Sequence, residues 1–437
     1  MNQIIEKADE TRRLNETADN WIRSSVGKYC DVQLGKMLQN DPSSEHDELK
    51  PYLRAINIAK NGLDLSHEFS MWIRPQEAQR FRLKKGDILV SEGGDAGRTA
   101  VFDVEDEFYF QNAINRVRPN SHTKIAPEFI FYWFTFLKAS GYVEMICNVA
   151  TIPHFTAEKV KAAPLVLPPI ETQRRIARFL DEKTAQIDAL IEKKRALLDW
   201  LAEKRQALIT RAVTKGLNPN VPMEPSGIDW LGDIPAHWGL RGLTKCTTRV
   251  DYRGATPEKS SIGVFLVTAK NIKCGQIDYE ISQEYIPQDI YEQAMRRGLP
   301  RLGEVLFTTE APLGEIAQVD REDIALAQRI IKFTTSTPEL ENDYLAYWMM
   351  SMPFQAQIQS RGTGSTAIGL KASKIVDLPC LLPPKDEQMD IISHVRRSLA
   401  EIDEVEAAIK YSLALKTEYR AALITAAITG QIPELNG

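Results

Sequence analysis

Leu167-Pro168-Pro169-Ile170-Glu171-Thr172-Gln173-Arg174-Arg175-Ile176 is answered 215 residues later by Leu382-Pro383-Pro384-Lys385-Asp386-Glu387-Gln388-Met389-Asp390-Ile391. The leucine, both prolines, the glutamine and the isoleucine fall in register. Working outward at the same offset, Pro164 meets Pro379, Tyr132-Trp133 meets Tyr347-Trp348, and Ile187-Asp188 meets Ile402-Asp403. Leu208-Ile209-Thr210 meets Leu423-Ile424-Thr425, then Ala212 meets Ala427 and Thr214 meets Thr429. Residues 128–214 thus match 343–429, and chance similarity does not hold one offset over so long a span. Further out the offset drifts. Gly86-Asp87-Ile88-Leu89-Val90 pairs with Gly303-Glu304-Val305-Leu306-Phe307 at 217, and Asn57-Ile58 pairs with Asn271-Ile272. Near the start, Trp21, Tyr29, Leu34 and Lys36 align with Trp230, Trp238, Leu243 and Lys245 at 209. A unit this long exceeds the solenoid repeat of about 20–50 residues, so the chain is a duplicated domain. A pseudo-symmetric molecule suits a target with two similar halves.

The texture changes after Pro169. From Glu171 to Lys215 there is no Gly or Pro, and Ala, Leu, Glu, Lys and Arg dominate. This predicts one helix of about 67 Å at 1.5 Å per residue. Leu180, Ile187, Leu201 and Leu208 form one seven-residue row, broken by Lys194; Ile176, Leu190 and Leu197 form a second, broken by Lys183. Gly216 stops the helix. Lys385 to Thr429 repeats the design, with Val395, Ile402, Ile409 and Leu423 in one row, Ile391, Val405 and Tyr419 in the other, and Gly430 at the end. Both read as coiled-coil seams. The simplest arrangement packs the helices on each other; the alternative is that each covers its own globular domain. Before each helix lie short strand-like runs: Gly86 to Val90, Thr99 to Phe102 and Asn112 to Val117, then Gly263 to Thr268, Gly303 to Thr308, Ile316 to Val319 and Arg329 to Phe333. The expected fold class is α+β, with two similar mixed α/β domains each followed by a long helix. Boundaries are expected at 1–167, 168–217, 218–382 and 383–437, with the proline-rich 218–227 stretch as linker.

Composition removes several classes. The chain has 437 residues, enough for two or three domains, and 43% hydrophobic with 26% charged residues is ordinary for a globular protein. A net charge of −5 gives no global steering toward nucleic acid, which leaves local basic patches or a basic partner. The cysteines, Cys30, Cys147, Cys246, Cys274 and Cys380, are scattered and fit a reducing compartment without a zinc site. The N-terminus lacks a signal-peptide core, and the run Phe129 to Leu137 is far short of the roughly 20 residues a membrane helix needs. A cytoplasmic protein is expected, with that run and Tyr344 to Met352 as buried helices. Gly364 to Lys371 only loosely resembles a phosphate loop, because Leu370 separates Gly369 from Lys371. No His-Glu-x-x-His, no Gly-x-Ser-x-Gly and no metal-ligand spacing among the histidines occurs. A non-catalytic recognition protein or scaffold is expected.

Three motifs resemble the specificity subunit of a type I restriction–modification system. Leu165 to Ile176, echoed by Leu382 to Gln388, is similar to the family's double-proline start of a conserved-region helix. Ala207 to Gly216, echoed by Tyr419 to Gly430, resembles the end of that helix. Asp229-Trp230-Leu231-Gly232-Asp233-Ile234-Pro235-Ala236-His237-Trp238 looks like the opening of a target-recognition domain; the first opening, Trp21-Ile22-Arg23-Ser24-Ser25, is degenerate. The resemblance covers essentially the full chain. It implies that each globular domain reads one half of a split double-stranded DNA target, while the two helices form an antiparallel coiled coil with pseudo-two-fold symmetry that sets the spacing. It also implies two methyltransferase subunits that use S-adenosylmethionine, and restriction subunits that use ATP and Mg. No cofactor is expected in this chain. The competing reading is a coiled-coil adaptor that joins protein partners without reading DNA.

Basic clusters are the candidate phosphate contacts: Arg74, Arg80, Arg82, Lys84 and Lys85, with Glu77 as the one acid among them, and Arg296, Arg297 and Arg301 in the second copy. Each equally suits a solvated surface, and their recurrence favours function. Base readout needs paired donors and acceptors in loops where the copies diverge. The candidates are Arg98, Gln111, Asn112 and His154, then Thr308, Thr309, Gln328, Arg361, Thr363 and Ser365. Asn57 and Asn271 recur and suit structural caps, and the Tyr-Trp pairs suit core packing rather than base stacking.

Overall fold

The computed structural model describes residues 21–59, 62–147, 154–254, 257–363, 369–371, 374–375 and 378–436. The chain divides into two units, Met1–Lys194 with Tyr411–Gly437, and Arg195–Lys410. Each therefore holds one globular domain, the first half of one long helix and the last half of the other.

In the first unit the central strand is Asp87–Ser91, every residue of which is buried. It pairs antiparallel with Ile114–Pro119 and with Thr99–Phe102, and Cys30–Leu34 completes the four-stranded sheet. Side chains alternate along a strand, so the central strand feeds two cores. Ile88 and Val90 face the helix Pro127–Ala139, whose Phe129, Trp133 and Phe136 fill that core. Leu89 faces the other way, toward Phe102, Phe110 and Ile114. That second core is closed by a three-stranded sheet of Ser70–Ile73, Glu48–Leu53 and Tyr109–Phe110.

The second unit repeats this layering. Val305–Thr309 lies between Ile330–Thr335 and Leu313–Gln318, with Thr247–Asp251 at the edge. Val305 and Phe307 face the helix Asn342–Met350 and its Trp348. Leu306 faces a sheet of Tyr285–Ile286, Val264–Val267 and Ile324–Leu326. Thr99–Phe102 keeps the boundaries of the sequence reading, and the other strand boundaries move by one to three residues.

Buried polar groups fix both frames the same way. Trp133 Nε1 donates to Pro164 O at 2.7 Å, and Trp348 Nε1 to Pro379 O at 3.0 Å. Gln173 donates to Pro168 O and accepts from Ala126 N; Gln388 donates to Pro383 O and accepts from Glu341 N. This is why the double prolines and the glutamine recur: the glutamine ties the start of the long helix to the preceding strand and to the domain. Asn57 and Asn271 are fully buried caps, accepting from Arg54 N and Thr268 N and donating to two carbonyls each.

Three expectations need correction. The offset of 209 near the start is wrong. Ile22–Ser25 pairs with Pro164–Leu167, and Gly239–Gly242 pairs with Pro379–Leu382, so the copies stay at 217 there. Trp21 corresponds to Trp238, and each packs its ring against the glycine that ends a long helix, Gly430 and Gly216. The counterpart of residues 229–237, residues 12–20, lies outside the described residues. Second, the stretch read as linker is folded: Met223–Pro225 pairs antiparallel with Asp233–Pro235.

The third concerns the long helices, Ile170–Lys215 and Lys385–Ile428. Each ends at a left-handed glycine, Gly216 with φ 72° and Gly430 with φ 77°. The rows through Leu180, Ile187, Leu201 and Leu208, and through Val395, Ile402, Ile409 and Leu423, are buried or half-buried. The second row is shifted by one residue. Leu190, Leu197, Val405 and Tyr419 are each more than 40% exposed. The covered positions are Ala177, Thr184, Ile191, Leu198, Arg205 and Ala212, and in the second helix Ile392, Leu399, Glu406, Leu413, Arg420 and Ala427. Ile176 and Ile391 are buried, but they belong to the domain cores. Thr184, Arg205, Glu406 and Arg420 are polar, so a row sought among apolar residues misses them. The arginines are satisfied within their units. Arg420 Nε donates to Asp188 Oδ1 at 2.9 Å in the first, and Arg205 pairs with Asp403 and Glu406 in the second.

Candidate nucleic-acid interface

In the first domain the loops that follow the central sheet converge at one end. Glu92 N donates to Ala113 O, Phe155 N to Glu92 O, and Asn112 N to Lys36 O. These bonds draw three segments together: the turn 92–98, the turn Gln111–Ala113 and the segment at His154. Arg98, Gln111, Asn112 and His154 therefore share one surface. Arg98 is 31% exposed and lies 3.7 Å from Asp95, and its Nε is buried without a hydrogen-bond partner. His154 is exposed, with its ring over Gly93. Gln111 and Asn112 are half-exposed.

The second domain builds the same end from different chemistry. Thr309 N donates to Arg329 O, and Leu370 N to Thr309 O. Gln328 and Thr363 lie here, half-exposed and exposed. Arg361 donates to Lys374 O at 3.1 Å. Thr308 and Thr309 do not present readers. Both are buried, Thr308 Oγ1 accepting from Glu315 N and Thr309 Oγ1 donating to Arg329 O. Their hydroxyls hold the adjoining turns instead. Ser365 lies outside the described residues.

Two arginines here escaped the sequence reading. Arg253 holds Asp251 through several hydrogen bonds, 2.5 Å at its shortest, and donates to Leu370 O. Burial acts to raise the Asp251 carboxyl, but the Arg253 bonds outweigh it and hold the group below the ordinary carboxylate value of 3.8. Arg329 pairs with Glu310 at 2.9 Å. Neither stands out in sequence, since isolated arginines in loops are common; only the fold brings Arg253 beside Arg297, which donates to the carbonyls of Asp251 and Arg253 at 2.6 Å each.

The basic clusters divide. Arg74 is joined through Glu77 to Lys36 and so to the end where the loops converge. Arg80 donates to Gln33 Oε1 and stacks on Phe81. Lys84 and Lys85 precede the central strand and lie at its other end, about 16 Å away along five residues. There Lys85 is 2.8 Å from Glu105 and 3.1 Å from Asp103, and Arg82 is 3.7 Å from Glu107. The cleft these residues line holds as many acids as bases. The single acid visible in the local sequence thus understates the neutralisation. In the second domain Arg301 sits likewise at the far end of its strand, whereas Arg297 belongs to the end where the loops converge and, with exposed Arg296, borders a cleft of about 260 Å³. Among the described residues no group of carboxylates, histidines and cysteines could hold a metal ion, and no helix is long and apolar enough to cross a membrane.

Residues 19–199 match the family described as the type I restriction modification DNA specificity domain. Over 95% of its length the chain is 21% identical to the EcoBI type I restriction enzyme specificity subunit of Escherichia coli, covering 86% of that protein. It is also 21% identical, over 79% of each chain, to a MjaX type I specificity subunit assigned in Methanocaldococcus jannaschii. A structure solved in work on the assembly and conformational transition of a type I restriction–modification system resembles it with a TM-score of 0.65 at 16% identity, over 94% of this chain and 98% of that one.

Proposed function

We infer that the chain, which belongs with the specificity subunits of type I restriction–modification systems, recognises the DNA target and leaves catalysis to its partners. The observation that carries this reading is the pair of loop clusters. Two domains with matching buried frames each gather multi-donor side chains at the same end of the same sheet, and those side chains differ. Each domain reads one half of a bipartite target: Arg98, Gln111, Asn112 and His154 serve the first half, and Gln328, Arg361 and Thr363 serve the second. Arg74, Arg296 and Arg297 contact phosphates. Arg80, Arg82, Lys84, Lys85 and Arg301 contact the DNA backbone at the flanks, Lys85 with less effect because Asp103 and Glu105 already hold it.

The two long helices pair antiparallel as a coiled coil with pseudo-two-fold symmetry and set the spacing between half-sites. Asp188–Arg420 and Asp403–Arg205 support this: each is the other shifted by 215, and the residue numbers sum to 608 in both. Two methyltransferase subunits, using S-adenosylmethionine, dock on this frame, and restriction subunits, using ATP and Mg, complete the assembly. The test is a genome-wide adenine-methylation map from cells that express the chain with its methyltransferase. A new motif of two short halves around a fixed spacer is expected; a confirmed complex that adds no motif would reject the reading.

A further inference from the structure

We propose that Arg329 is a specificity residue of the second domain and reads a guanine of its half-site; this rests on the reading above. Arg329 occupies the turn between Ile324–Leu326 and Ile330–Thr335 with φ 80°, a left-handed conformation that a long side chain rarely adopts. Its carbonyl pins the neighbouring strand by accepting from Thr309 N at 2.8 Å and Thr309 Oγ1 at 3.1 Å. The first domain has the same device. Ala113 precedes its strand with φ 97°, and its carbonyl accepts from Glu92 N at 2.8 Å. The strained backbone is therefore common to both domains, and alanine satisfies it. The fold does not require an arginine there.

What the arginine adds is a charged fork at the tip of the reading end. Its side chain is 46% exposed, and its Nε lies 2.9 Å from Glu310 Oε1 on the adjoining turn. A guanidinium has five N–H donors and a carboxylate presents two oxygens, so Glu310 orients the fork without exhausting it. Paired donors in a fixed plane match the O6 and N7 acceptors of guanine in the major groove, the commonest specific arginine contact. The backbone strain fits a reading role, since strained turns persist where position matters more than comfort.

The test is a methylation map from cells expressing R329A with the methyltransferase, beside the wild-type map. One guanine position of the second half-site is expected to lose its discrimination, roughly 5- to 150-fold, with the first half-site and the spacer unchanged. An unchanged motif at every position would overturn the proposal. So would loss of all methylation, because it would make Arg329 a structural residue. A binding measurement on the assembled complex separates the contact from any effect on turnover. Replacing that guanine by 7-deazaguanine should weaken the wild-type complex and leave R329A indifferent; equal weakening of both would exclude the contact. A wild-type map without a bipartite motif would instead reject the underlying reading.

Discussion

The two globular domains agree where side chains are buried and disagree where they are exposed. Trp133 and Trp348, Gln173 and Gln388, and Asn57 and Asn271 make matching hydrogen bonds at positions fixed by the repeat. At the ends where the loops converge, Arg98 beside Asp95 stands on the first turn in one domain, while Arg329 beside Glu310 stands on the second turn in the other. A buried polar group left unpaired costs its full desolvation, so such positions resist change. A loop side chain with a surface partner carries no such penalty and is free to follow its target.

The largest effects should fall on the common frame and be equal in both copies. Trp133→Ala and Trp348→Ala each remove a fully buried indole and should each cost about 3–5 kcal/mol in thermal unfolding, within error of one another. A much smaller loss in one copy would break the equivalence. On the helices the copies should part. Arg205→Ala strands two carboxylates and Arg420→Ala one, on pairs that are partly solvated. After discounting for screening, about 1–2 kcal/mol is expected for Arg205→Ala and less for Arg420→Ala, read by denaturant unfolding. A helix shortened by whole heptads should change the spacer between half-sites and neither half.

Smaller still are the phosphate contacts. Arg297→Ala should lower the slope of log affinity against log salt by about 0.9, whereas Lys85→Ala, already held by Asp103 and Glu105, should leave it nearly unchanged. Equal changes would mean that the acids release Lys85 on binding. The smallest effect is on pH. Asp251 has its carboxyl held below 3.8, so its contribution is complete above 3.8 and is lost as pH falls through the lowered value. Asp251→Asn should flatten that acid limb of the stability curve and lower stability by a constant amount across pH 5–8; a changed slope near neutrality would contradict the assignment.

The repeat, the strands, both long helices and the capping asparagines were legible because each rests on a local signal: periodicity, punctuation or a recurring buried residue. The second apolar row was misplaced by one residue because Thr184, Arg205, Glu406 and Arg420 fill covered positions with polar side chains. The start of the repeat was misaligned because Trp230 offered an attractive match and Trp238 was the true one. The surface where the loops converge was only half legible. Thr308 closes a strand-like run in the sequence and Thr309 follows it, and both prove buried at the end of that strand. Arg253 and Arg329 gain their significance from contacts with Leu370 and Glu310, which no local pattern reveals.

The central claim is that the two domains read independently. Its most direct test replaces residues 30–160 with the equivalent segment of a relative of different specificity and maps adenine methylation with the methyltransferase present. The account predicts that one half of the motif changes, while the other half and the spacer stay as they were. A change in both halves would contradict it.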